Sequence, residues 1–564
     1  MDRRTFLTTT FGAASAVALG VSCSDDDDAA TPGSDTTEAG GSTTLAAVPR
    51  PTLRLPGGDS GFPSPFAYMR GGGYVQMSYL YDTLLWKDST DEVLPWLAES
   101  FEQSDDGLTY TFALRDGVTW HDGEPFTADD VVFTFEYFAD QTLSPQVIFQ
   151  PIPDIDEVVA LDDLTVEFRL AAPAATFLQF GAAGAVPIVP RHIWSDIADA
   201  AAESDPAVLV GTGPYRLESY TQGEGAYLYT AYDDYFLGRP FVERIENLPV
   251  GDELAALLTG DLDTAGGSGL RAEVLAPFES DDAFEIIEAP PGSSLTSLYW
   301  NLAQGGALAD VRFRQACAHA IDREELVQRL FGGNGTPGNP GWIPPENPFH
   351  VEVEQYPFDL DDANRLLDEA GFTRDGDGPR QGPDGQPLSF ELLVSSPPSP
   401  AIDLVVAALA AVGVDVTPAA LDTPSFNQRV IAGEVEMSLI GSGGMNSDLA
   451  PDYLRLIYST ETTLTQHAQG YANDTVDQLC EEQLRTLDED ERMGIVAEIQ
   501  ELVAADLPLL PLFYPTSTSV VRTESFDQWY ITPGGVAGVI PTIDNKQVFI
   551  TGQMTGTEIR PTED

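Results

Sequence analysis

Between residues 81 and 138 the apolar positions change period twice, and each change marks an element. Tyr110, Phe112 and Leu114 alternate with Thr109, Thr111 and Ala113, which is the period of a strand with one buried face. Asp116-Gly117 and then Asp122-Gly123 supply turns that fold the chain back. Thr127 with Asp130 three residues on has the form of a capping box, and it opens a helix through Val131, Val132, Phe135 and Phe138.

The same reading extends along the chain. PTLRLPGGDSGFPSPFAYMRGGGYVQMSYLYDTLLW predicts a strand, a loop rich in glycine and aromatics, and a helix from near Tyr74. FDLDDANRLLDEAGF predicts a helix with Asp359 or Asp361 at its start and Gly371 just past its end. LSFELLVSS, a helix over about 401–412, VDVTPAAL and VEMSLIGSGG alternate as β, α, β, β, which indicates an α/β lobe. With 564 residues the chain can bury several cores, so two or three lobes are expected, and no internal repeat is apparent.

Charge narrows the partners. The 27 Lys+Arg against 90 Asp+Glu give a net charge of −63, and only Lys87 and Lys546 are lysines. Such a surface repels phosphates, so no nucleic-acid partner is expected. Carboxylate excess fits life at high salt, where the Debye length falls to about 3 Å, and fits equally an acidic proteome without salt stress.

The N-terminus carries Arg3-Arg4, a short and weakly apolar stretch to Ser22, then Cys23 followed by SDDDD and a Ser/Thr/Gly/Ala-rich run. Paired arginines before such a stretch read as a twin-arginine export signal over 1–23, although Asp2 stands where Ser or Thr is usual. Val21-Ser22-Cys23 resembles a lipobox in which Cys23 is lipidated, with Gly20 in place of the usual Leu; an ordinary signal peptide with an incidental cysteine is the other reading. Residues 24–48 would then be a flexible acidic tether. Cys317 and Cys480 lie in helical runs and are read as buried free thiols.

Catalytic patterns are missing. The five histidines, His121, His192, His319, His350 and His467, have no metal-site spacing; GxSxG and GxxxxGK[ST] do not occur. Asp375-Gly376-Asp377-Gly378 is followed by Pro379 where a calcium loop needs an oxygen ligand, so a surface hairpin is expected. No cofactor and no metal are expected, and the chain is read as a binding protein rather than an enzyme.

YDTLLWKDSTDEVLPWLAESF, LTYTFALRDGVTWHDGEPFTADDVVF and ADVRFRQACAHAIDREELVQRLFGGNGTPGNPGWIP together closely resemble the family 5 extracytoplasmic solute-binding proteins, the oligopeptide, dipeptide and nickel receptors of ABC importers. Likeness runs over about residues 50–550. It implies an α/β, periplasmic-binding-protein-like fold of the class C type: a three-lobed Venus flytrap with mixed sheets. Lobe I would be discontinuous over 49–75, 186–298 and 511–555, lobe II would span 76–185, and lobe III 299–510. It further implies a monomer that takes a peptide or related small solute and works with a membrane permease and separate ATPase subunits. A non-peptide solute (oligosaccharide, opine or metal complex) is the alternative, and an exported hydrolase a remote one.

The resemblance also points to site residues. SPFAYMRGGGY aligns with a loop that lies against the ligand backbone in oligopeptide receptors, which makes Tyr68, Arg70, Gly71 and Tyr74 candidates. Arg70 either holds a substrate carboxylate bidentately or sits in a surface ion pair. Phe149 falls near the family's aromatic on the second lobe; one of Tyr299 and Trp300 is expected to face the cleft while the other packs, and Trp342 and Tyr514 are further candidates. In GSGGMNSDLAPDYL, covering Gly441, Ser442, Gly443, Met445 and Asp448, Ser442 replaces the family's Trp and Met445 the Asp that pairs with a peptide's α-amino group. Asp448 compensates from a displaced position, or a non-peptide solute gains ground.

Overall fold

The computed structural model describes residues 52–69, 72–87, 93–141, 155–179, 186–289, 292, 294–376, 378–395, 399–443, 450–460, 470–523, 526–527, 529, 531–536, 540–543, 545–546 and 560–561. The strand expected around Tyr110 runs Thr109–Leu114 with Tyr110, Phe112 and Leu114 buried. It lies in a four-stranded antiparallel sheet between Ala98–Gln103 and Thr165–Leu170, with Ile155–Asp162 at the far edge. Gly117 and Gly123 take φ of 77° and 92°, the left-handed turn geometry that glycine adopts without a Cβ clash. Thr127 caps the helix Ala128–Asp140, and its N–H donates to the Asp130 carboxylate at 3.0 Å.

A second four-stranded sheet sets Thr52–Gly57 parallel to Arg244–Pro249, followed by Ala226–Ala231 and Tyr215–Thr221. These two sheets share one core of Trp, Tyr, Phe and aliphatic side chains from Leu53 to Ile245. The helix near Tyr74 begins at Gly72 and ends at Ser78, with Tyr74 buried in the same core.

The predicted α/β lobe is a six-stranded mixed sheet. Its order is Gly335–Pro337, Leu509–Pro515, Ser294–Trp300, Met437–Gly443, Ser389–Ser395, Asp415–Leu421. The last three are mutually parallel, as expected of strands joined through Ala401–Ala411 and Thr423–Ile431. Asp359 caps Leu360–Glu369, and Gly371 (φ 87°) ends the turn beyond it. Alternation along the strands divides the apolar side chains into two cores, Leu298, Trp300, Met437 and Leu510 on one face and Leu295, Tyr299, Ile440 and Tyr514 on the other.

Leu509–Pro515 pairs inside the six-stranded sheet, and Ser517–Arg522 directly after it is the central strand of a three-stranded sheet with Thr264–Ser268 and Phe284–Glu288. One continuous segment therefore serves both sheets. Cys317 and Cys480 are buried and free. No helix among the described residues is long and apolar enough to cross a membrane.

Candidate functional site

The loop after the first strand is pinned by hydroxyls and a carboxylate. Tyr227 Oη accepts from Ser60 N at 2.9 Å and donates to Gly61 O at 2.8 Å. Asp59 accepts from Tyr220 Oη at 2.8 Å and from the N–H groups of Gly61 and Gly223. Burial pushes this carboxyl up, but those hydrogen bonds outweigh it and hold Asp59 below the usual carboxylate range. Tyr220 stacks on Tyr227 at 4.7 Å, and Phe62 leans on Tyr220. This aromatic wall beside the loop was not singled out in the sequence, though the turn residues between Tyr220 and Tyr227 in SYTQGEGAYLY, which pair across a hairpin, carried the signal.

Within that loop Tyr68 and Tyr74 are brought together, buried and edge-on with centroids 5.6 Å apart. Gly73 is required by a close approach, since a Cβ there would lie 2.5 Å from Ser60 O. Arg70 and Gly71 lie outside the described residues, as do Cys23, Phe149, Met445 and Asp448.

A second group gathers on one face of the six-stranded sheet. Tyr299, Trp342 and Tyr514 share a core with Tyr453 and Tyr458, whereas Trp300 is buried on the opposite face. Both Tyr299 and Trp300 are thus enclosed, each by a different core. Burial raises the Tyr299 and Tyr514 phenols far above their ordinary range, so both stay neutral. Trp342 has φ 74°, a rare conformation for a bulky residue. Its peptide is held on both sides: Trp342 N donates to Asn339 O at 2.8 Å, and Trp342 O accepts from Tyr514 Oη at 2.7 Å. Its indole lies nearly parallel to Tyr453 at 5.9 Å.

Asn339, which donates its backbone N–H to Tyr514 Oη, also lines a cavity of about 580 Å³ with Arg323, His350, Gln355 and Tyr356. The Arg323 guanidinium donates to Gly338 O and Tyr356 O, and burial lowers its pKa. Gly441, Ser442 and Gly443 end the strand Met437–Gly443 opposite Thr296, Leu295 and Ser294. Among the described residues no group of three or more His, Cys, Asp or Glu is placed to hold a metal ion. The run 375–378 sits in a hairpin closed by the antiparallel bridge Thr373↔Gln381, with Asp377 outside the described residues.

Residues 92–463 match the family model described as bacterial extracellular solute-binding proteins, family 5 Middle. A Brucella ovis chain, provisionally named an ABC transporter peptide-binding protein, is 31% identical over 383 residues, covering 66% of this chain and 69% of that one. The dipeptide-binding protein of Escherichia coli is 27% identical over 514 residues, 83% of this chain and 90% of its own. Among solved structures, NikZ from Campylobacter jejuni in complex with Ni(L-His) superposes with a TM-score of 0.74 at 24% identity, covering 87% of this chain and 98% of that one.

Proposed function

The chain belongs to the bacterial extracellular solute-binding proteins of family 5, and from that membership we propose that it captures a peptide or related small solute between hinged lobes and delivers it to an ABC permease. The observation that carries this reading is the family match across residues 92–463 together with the mixed-sheet architecture it overlies. Members of this family bind substrate outside the cytoplasm and leave ATP hydrolysis to a separate subunit. The lobes we assign are 49–75 with 186–293 and 516–555, then 76–185, then 294–515; the expected boundaries at 298/299 and 510/511 are moved so that Ser294–Trp300 and Leu509–Pro515 each stay whole with the six-stranded sheet in which they pair.

Closure has to come from differential affinity: a solute that touches two lobes favours the closed state, and one that touches a single lobe shifts nothing. Tyr68, Arg70, Gly71 and Tyr74 would meet it from one side and Phe149 from a second, with Arg70 holding a carboxylate. Tyr299, Trp342 and Tyr514 would back the third, where Gly441 to Asp448 closes over the solute. Paired arginines support export by the twin-arginine route and Cys23 supports attachment by a lipid, and we read the receptor as a monomer.

One observation favours a non-peptide solute. The strand end at Gly441, Ser442 and Gly443 presents neither a carboxylate for an α-ammonium group nor an aromatic face. Native mass spectrometry of the purified chain identifies what co-purifies, and calorimetry with peptides, oligosaccharides and metal chelates ranks the classes. Arg70→Ala should weaken a carboxylate-bearing solute at least tenfold; unchanged affinity removes Arg70 from the site. Turnover of any of these compounds overturns the receptor reading.

A further inference from the structure

Lys546, one of two lysines in the chain, has no solvent exposure. Its ammonium pairs with Asp82 Oδ1 and donates to Tyr81 O at 3.0 Å. It lies 4.2 Å from the ring centroid of Trp86 and 5.5 Å from that of Trp96. Two indoles and one carboxylate are the chemistry that recognises ammonium groups.

The host is held by groups other than the guest. Asp82, itself fully buried, accepts from Trp96 Nε1 at 2.8 Å, Thr212 Oγ1 at 2.9 Å and Tyr235 Oη at 3.3 Å. Its backbone O accepts from Ile188 N at 2.8 Å. Three hydroxyl or indole donors and a fixed backbone therefore hold the carboxylate in place from four separate stretches of chain. The ammonium completes the charge balance, and burial alone would push Lys546 toward its neutral form.

Among the described residues, Lys546 lies beyond the last strand of the three- and six-stranded sheets. Among the described residues beyond 525, backbone pairing is confined to Phe526–Asp527 with Arg560–Pro561 and Thr532–Val536 with Ile540–Thr542, and none of it reaches the larger sheets. Phe526, Trp529 and Ile543 add apolar contacts to the first core. Asn545 accepts from Trp86 Nε1 at 2.9 Å and donates to Thr532 Oγ1 at 2.7 Å. Among the described residues, Phe526, Trp529, Ile543 and Asn545 are fastened to the first core through their side chains.

We propose that Asp82, Trp86, Trp96 and the Tyr81 carbonyl form a binding site for a primary ammonium group, occupied by the chain's own Lys546, so that Phe526, Trp529, Ile543 and Asn545 together with Lys546 form a strap held on the first core by an intramolecular ligand. The site is distinct from the solute-binding residues. Its failure leaves the receptor reading intact.

Truncating the guest tests this. Lys546→Ala in the full chain leaves a space of the shape of propylammonium. Tm should fall by several degrees, and the strap should become open to limited proteolysis near residues 526–546. Propylammonium chloride should restore both saturably, while sodium chloride and propan-1-ol at equal concentration should not. An unchanged Tm and digestion pattern, or equal rescue by sodium chloride, overturns the proposal. Should Lys546→Ala fail to fold, the cycle of Asp82→Asn, Lys546→Met and their combination decides it. A double variant whose loss of Tm is smaller than the sum of the two supports an ammonium–carboxylate site, and additive losses overturn it.

Discussion

Arg54 and Asp263, 209 residues apart, hold each other through both side chain and backbone. Asp263 accepts from Arg54 N at 2.8 Å, from Nε at 3.2 Å and from Nη2 at 2.9 Å, and its own N–H donates to Arg54 O at 2.8 Å. This joins the strand Thr52–Gly57 of one sheet to the turn that opens Thr264–Ser268 of another. The carboxylate is 1% exposed and the guanidinium 34%.

That asymmetry orders two substitutions. Arg54→Met strands a buried carboxylate with a single backbone donor and should cost about 3 kcal/mol. Asp263→Asn leaves a guanidinium that can reach water, so its cost should be smaller, about 1–2 kcal/mol. Chemical denaturation of both variants checks the order, and a larger loss for Asp263→Asn would contradict it.

Gly211 should tolerate no side chain. A Cβ there would lie 1.8 Å from Leu80 O, against backbone that is itself tied down because Gly213 N donates to Leu80 O at 2.9 Å. Overpacking against an immobile peptide exceeds the ordinary range, so Gly211→Ala should cost more than about 3 kcal/mol. Gly251→Ala, where a Cβ meets nothing within 4 Å, is the matched control and should be nearly neutral in a thermal melt.

What could be read from the sequence was local. The alternation of Tyr110, Phe112 and Leu114, the Thr127–Asp130 box and the Asp359 cap each rest on contacts within a few residues, and each stands in the structure. Alternation also separated Tyr299 from Trp300, but it could not say that both faces of their strand are covered, because that depends on which helices pack there. Asp82 with Lys546 and Arg54 with Asp263 are invisible to periodicity. Their partners meet only after long loops close, and one carboxylate among 90 carries no local mark of being the buried one. The wall of Tyr220 and Tyr227 was legible as a strand but not as the support of the loop at Asp59.

The two described thiols should be inert in the folded protein. Burial pushes the Cys480 thiol up to about 12, with Arg455 pulling weakly the other way, and pushes Cys317 higher still. At pH 8 neither carries appreciable thiolate. Iodoacetamide followed by peptide mapping should leave Cys317 and Cys480 unmodified in buffer and alkylate both in urea. Modification of either under native conditions would show that its helix opens locally.

His121 should give the protein an acid-labile step. Its Nε2–H donates to Gly213 O at 2.9 Å and its Nδ1 accepts from Gly211 N at 3.2 Å, so the folded state selects the neutral ring. Desolvation is the main cause that takes its pKa from 6.5 down to about 4; the nearby Arg216 acts in the same direction, while the bond to Gly213 and the charges of Asp82 and Asp122 oppose it. The unfolded chain binds a proton below about 6.5 that the folded chain refuses until about 4. Stability from this group is therefore complete above pH 6.5 and declines as pH falls toward 4, by about 3 kcal/mol in all. His121→Gln keeps a donor and an acceptor but cannot titrate, so its stability should change less steeply over that interval. Parallel denaturation curves from pH 7 to pH 4 measure the difference in slope, and identical slopes would mean that His121 is protonated or solvated in the folded protein.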